Sequence, residues 1–154
     1  MRRILTLAAF TVVVFPVAAA TLLAAPAGAS GVRAKIQLRQ TSAGKILVNS
    51  RGYTVYAYSR DTTGNDACQN VSHCLTVWPP VTTSGTAIAG PGVRQGLLGT
   101  IKLKNGTKQV TYAGRPLYTY IADTHPAETN FINIYQLGGF WPAVNAAGGK
   151  VTKK

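Results

Sequence analysis

The sequence predicts an all-β fold: one small domain of short antiparallel strands and hairpins, built from two pseudo-repeats and preceded by a signal peptide. Three observations predict it. A motif of the form YxYxxD stands at Tyr56-Ala57-Tyr58-Ser59-Arg60-Asp61 and again, sixty-two positions on, at Tyr118-Thr119-Tyr120-Ile121-Ala122-Asp123. At the same offset Val48 falls on Val110, Gly52 on Gly114 and Thr62 on Thr124, while Trp78-Pro79-Pro80-Val81 answers Trp141-Pro142-Ala143-Val144 one residue out of step. Finally, the stretches between turn signals alternate apolar and polar residues, and no segment after the N-terminal run sustains a helical period. The repeats are placed at about residues 44–81 and 100–144.

Arg2 and Arg3 precede an apolar run from Leu5 to Ala25, and Ala27-Gly28-Ala29 has the small-x-small pattern of a cleavage site. Residues 1–29 therefore read as an export signal. Pro16 and the many alanines set the run apart from a membrane span. No cysteine lies beside the cleavage site to accept a lipid, so the expected product is secreted, extracellular or cell-wall associated, with no stable membrane anchor. The mature chain, residues 30–154, is long enough for one domain with its own core.

Cleavage removes two arginines and no acid, leaving fourteen basic residues against four acids. An excess of that size is either simply a solvated, soluble surface or a weak attraction, screened by salt, to anionic cell-wall polymers or lipid headgroups as partners. Nucleic acid is not indicated, because the basic residues are scattered along an exported chain. Cys68 and Cys74 are the only cysteines, and in an exported protein they are expected to form one disulfide around Gln69 to His73. A metal site built from both thiolates and His73 would be short of the ligands zinc takes, and no metal is assigned.

In chain order, Val32, Ala34, Ile36 and Leu38 alternate with Arg33, Lys35, Gln37 and Arg39, a half-buried strand with a basic outer face. Ile46-Leu47-Val48, a turn at Asn49 to Gly52 and the strand Tyr53 to Tyr58 form a hairpin. Leu75-Thr76-Val77-Trp78 then runs into Pro79-Pro80, which cannot continue a ladder. Thr82 to Gly96, rich in Gly, Ser and Thr, is the connector between repeats. Asn105-Gly106 suits a two-residue hairpin turn. That turn sets Ile101 against Val110 and Leu103 against Lys108 on a core face, with Lys102, Lys104, Gln109 and Thr111 on a wet one. Pro116 opens the strand to Tyr120, where its missing donor is harmless. Phe131 to Tyr135, Gly138-Gly139 and the second Trp-Pro complete the domain.

Alternate strand residues share a face, so Tyr56 and Tyr58 point one way, as do Tyr118 and Tyr120. Asp61 and Asp123 stand an odd number of steps further, so the chain has to turn if carboxylate and phenol are to meet. Two readings stay open. The tyrosines are core anchors and the aspartates cap turns, or phenol and carboxylate together bind a cation, a sugar or another polar ligand. Trp78 and Trp141 are likewise core anchors or stacking platforms for sugar rings. His73 and His125 lie in loops. No nucleophile elbow or zinc-protease motif appears, the pair Asp61 and Asp123 alone is weak support for a glycosidase, and no cofactor is called for.

With Gly52, Tyr56, Tyr58 and Asp61, with Cys68 and Cys74 ahead of Trp78-Pro79-Pro80, and with the run Gln109-Val110-Thr111-Tyr112-Ala113-Gly114-Arg115-Pro116-Leu117-Tyr118, the chain resembles a family. These are exported bacterial repeat proteins and predicted lipoproteins that share a Yx(FWY)xxD motif. The resemblance spans about residues 44–151. It implies an exported repeat protein without an established activity, and the lipid-acceptor cysteine of the lipoprotein members is missing here. The expected function is a secreted, non-catalytic, envelope-associated or binding module. An exported metal- or redox-related protein using Asp61, Asp123 and the neighbouring tyrosines is the alternative, with an extracellular hydrolase behind both.

Overall fold

A computed structural model describes residues 31–153, so the expected signal peptide at residues 1–29 lies outside the described residues. The described chain is β-rich, with only one turn of α-helix, α1 (Cys74–Val77), and two short 3-10 turns. β1 (Lys35–Thr41) and β2 (Gly44–Asn49) form the first hairpin, closed where Thr41 faces Gly44, whose φ of +91° only glycine adopts freely. β1 and not Tyr53–Tyr58 is thus the regular partner of β2. The expected hairpin between Ile46–Val48 and Tyr53–Tyr58 survives as a bridge between Val48 and Thr54 and a bond from Val55 N to Leu47 O. The motif segment turns away from β2 because its other backbone groups bond to the second repeat.

Along β1, Ile36 is fully buried and Leu38 half-buried, as alternation requires, but Val32 is 86% exposed. The ladder begins only at Lys35, and Val32 lies before it, accepting a bond from Ser84 N. Leu75 to Val77 belongs to α1, stacked after the 3-10 turn Ala67–Asn70, whose Asp66 cap accepts from Gln69 N. The disulfide between Cys68 and Cys74 ties these two turns together, which favours compact helical turns over a strand there.

Thr82 to Gly96 is more than a connector. It contains β3 (Thr82–Thr83), which pairs with the second repeat, and β4 (Ile88–Ala89), which adds to β1 in parallel. The second sheet runs β3, β6 (Lys108–Tyr112), β5 (Leu98–Lys102), with β7 (Arg115–Pro116) also on β6. Its register differs by one from the two-residue turn expected at Asn105-Gly106. Ile101 faces Gln109 and Thr100 faces Val110, and the loop is closed by Leu103 N to Thr107 O and Gly106 N to Leu103 O. This is a three-residue loop whose last residue, Gly106, takes φ +86°. Gln109 and Thr111, expected on a wet face, are buried: β3 and β7 pair along the edge of β6 that β5 leaves free, and Gln109 Nε2 donates to Leu117 O.

β8 (Ile134–Gln136) and β9 (Gly139–Trp141) form a small hairpin, and β10 (Ala143–Val144) pairs with β11 (Lys150–Val151). Two apolar clusters result. One packs Ile36, Leu47, Val55, Val110, Tyr112, Leu117 and Val144 among the sheets. The other gathers Ile46, the disulfide, both tryptophans and the motif tyrosines. The functional question lies in the second.

Candidate functional site

The two motif segments lie antiparallel across a local two-fold. Tyr56 N donates to Tyr118 O and Tyr118 N donates back to Tyr56 O, both at 2.9 Å. Equivalent bonds flank this pair: Ala57 N to Pro142 O and Thr119 N to Pro79 O, then Ser59 N to Phe140 O and Ile121 N to Val77 O. Each motif therefore pairs with the Trp-Pro segment of the other repeat. The prolines fit because they supply carbonyls at positions where no N–H is needed.

Side chains follow the same exchange. The tyrosines of each motif do share a face, and that face points inward, since Tyr56, Tyr58, Tyr118, Trp78 and Trp141 are all within 2% of complete burial. Tyr58, Trp141, Trp78 and Tyr120 stack in one column with centroid spacings of 4.2, 4.0 and 4.2 Å. Tyr56 and Tyr118 meet Trp78 and Trp141 edge-on, each at 5.2 Å. Such pairs each contribute about 0.5–1.5 kcal/mol beyond the area they bury. Gln136 holds both indoles, accepting from Trp78 Nε1 on its side chain and from Trp141 Nε1 on its carbonyl. Neither a motif nor the repeat offset signalled that residue. Tyr58 donates to Leu137 O.

The aspartates do turn back, but toward the other repeat. Tyr118 Oη donates to Asp61 Oδ2 at 2.8 Å, and Tyr56 Oη lies 3.2 and 3.1 Å from the two oxygens of Asp123. Asp61 Oδ1 also accepts from Ala67 N at 2.8 Å, so both of its oxygens are engaged. Burial is the largest influence on both carboxyls and outweighs these bonds, pushing Asp61 up to about 7 and Asp123 up to about 7. Burial, joined by the facing carboxylates, also pushes both phenols well above the usual tyrosine range. Beside Asp61, the buried Asp66 caps Gln69 N with one oxygen, leaves Oδ2 without a hydrogen-bond partner, and is itself raised by burial.

All eight candidate residues thus come together, as one closed assembly with its phenols and carboxylates turned on one another. Among the described residues, no three His, Cys, Asp or Glu side chains gather in a way that could hold a metal ion. His125 lies in its loop bonded to Thr124, and His73 precedes α1 at a positive φ of 58°. The acids have a further property in common. Asp61, Asp66, Asp123 and Glu128 take their hydrogen bonds from phenols, backbone N–H groups and Asn130, with no lysine or arginine among the donors in the described residues.

A family of secreted repeats of unknown function matches residues 37–82 and 99–145, one copy for each half of this assembly. The chain belongs to that family. No curated protein and no solved structure matches it. The two matched segments of this secreted repeat protein each contribute one YxYxxD motif and one tryptophan, so the repeat unit is also the unit that exchanges contacts across the two-fold.

Proposed function

We propose that this secreted repeat protein is a non-catalytic module that binds anionic components of the cell envelope, and that its YxYxxD motifs serve to join its two repeats. The observation that carries the reading is the division of charge. The four acids are drawn into phenol, amide and cap bonds, while among the described residues the thirteen lysines and arginines have no carboxylate as a hydrogen-bond partner. A surface so biased attracts polyanions, and the attraction weakens as the screening length shortens to about 8 Å at physiological ionic strength. The motif groups are poor candidates for chemistry because the phenols of Tyr56, Tyr58 and Tyr118 and both aspartates already have hydrogen-bond partners within the assembly.

Sedimentation of the purified mature protein with isolated cell envelopes tests this. The expected result is binding at low salt that declines steeply as salt is added, and that persists in Asp61→Asn and Asp123→Asn variants under conditions where these remain folded. A protein that stays in the supernatant at low salt contradicts the reading.

A further inference from the structure

An open cleft of about 690 Å³ runs between the start of the described chain, the turn after β2 and the β5–β6 loop. Four cations line it, Arg33, Lys35, Arg51 and Lys108, and no acid does. They come from three separate places in the chain, which is why nothing in the sequence grouped them beyond the alternation that puts Arg33 and Lys35 on one face. The motif strand itself forms part of the wall. Tyr118 and Tyr120 turn into the aromatic core, and Thr119 between them faces the cleft.

Two of these cations are held in place. Arg33 Nε donates to Thr86 O at 2.8 Å, and the Arg51 guanidinium lies over the Tyr53 ring at 5.5 Å, on a turn fixed by Arg51 N to Asn49 Oδ1. Holding a long side chain before a ligand arrives lowers the ordering cost of binding. Lys108 carries a second signal. It stands directly across the ladder from Lys102, a like-charge pair that destabilises the hairpin unless an anion lies nearby.

We propose that this cleft is the binding site of the module, and that its ligand is a linear polymer carrying a phosphate charge on each repeating unit. The inference rests on the envelope-binding reading and gives it a location. The chemistry favours phosphate because guanidinium forks engage its oxygens in pairs and lysine adds a compact charge. It favours a polymer because the cleft is open and its cations are supplied by three separate segments of the chain. Hydroxyls such as those of Thr107 and Ser84 lie along the same walls to bond sugar or polyol units between phosphates.

The test compares two variants that each remove four exposed positive charges: Arg33→Gln, Lys35→Gln, Arg51→Gln and Lys108→Gln in the cleft, and Lys45→Gln, Arg60→Gln, Arg94→Gln and Lys150→Gln outside it. Should the first be poorly folded, Lys35→Gln with Lys108→Gln replaces it. Binding to long-chain inorganic polyphosphate, to vesicles containing phosphatidylglycerol and to isolated envelopes is measured at low salt. The cleft variant is expected to lose about tenfold or more in polyphosphate affinity, while the outer variant changes much less. Polyphosphate is expected to displace the wild type from envelopes. Equal loss in the two variants overturns the cleft and leaves only a diffuse charge effect. Binding to the vesicles without binding to polyphosphate overturns the polymer in favour of a lipid headgroup. If the wild type binds envelopes but the cleft variant binds them as well, the cleft fails and the broader reading stands. If the wild type binds no envelope, the broader reading fails first.

Discussion

Asp61 and Asp123 hold protons to a higher pH than ordinary carboxyls, up to about 7, because burial disfavours their charge more than one phenol and a backbone amide favour it. The native state therefore binds protons that the unfolded chain has released between about pH 4 and pH 7. Their contribution to stability is greatest at the acid end of that window, falls as pH rises through it, and is level above it. Asp66 acts in the same direction, and the exposed Glu128, lowered chiefly by its bond from Thr124 N, acts in the opposite one. We predict that the melting temperature of the wild type, relative to that of an Asp61→Asn, Asp123→Asn variant, falls between about pH 5 and pH 8. A rise over that interval would contradict the burial account. At this scale spacing in the sequence was informative about direction: it placed each tyrosine pair on one face and required the aspartate to turn. It was silent on which phenol the aspartate would meet, since spacing within one strand says nothing about a neighbour sixty-two residues away.

Among the elements, the β5–β6 hairpin shows how a single backbone angle goes with the register of two strands. Asn-Gly is compatible with either a two-residue turn or a longer loop ending in a positive φ, and the two differ by one residue of register. Here Gly106 at φ +86° closes the longer loop. Register alone does not set burial on β6, whose free edge is paired by β3 and β7 and whose Gln109 and Thr111 are buried. Those pairings come from the connector and from beyond Gly114, and short two-residue strands leave no periodic signal. The Gly106 site is open, with only Lys102 Cε at 4.0 Å from an added Cβ, so the cost of Gly106→Ala is purely conformational. We predict a loss of about 1 kcal/mol in urea unfolding. A neutral or stabilising substitution would mean that the loop does not hold this conformation.

For the whole molecule, the main consequence is that neither repeat is complete alone. The first supplies Asp61 to Tyr118 and Trp78 to Tyr120; the second supplies Asp123 to Tyr56 and Trp141 to Tyr58. The duplication was plain in the sequence, and so was the single small domain, but a repeat offset does not reveal whether two copies lie side by side or exchange parts. That distinction depends on backbone pairing between Tyr56 and Tyr118, which leaves no local mark in residue order. The central claim is that carboxylate and phenol are coupled between repeats. Double-mutant cycles in urea unfolding measure it most directly, with Tyr118→Phe combined first with Asp61→Asn and then with Asp123→Asn. The account predicts a coupling of about 1 kcal/mol or more for Tyr118 with Asp61 and additivity within roughly 0.5 kcal/mol for Tyr118 with Asp123. A stronger coupling of Tyr118 to Asp123, the aspartate of its own motif, would contradict it.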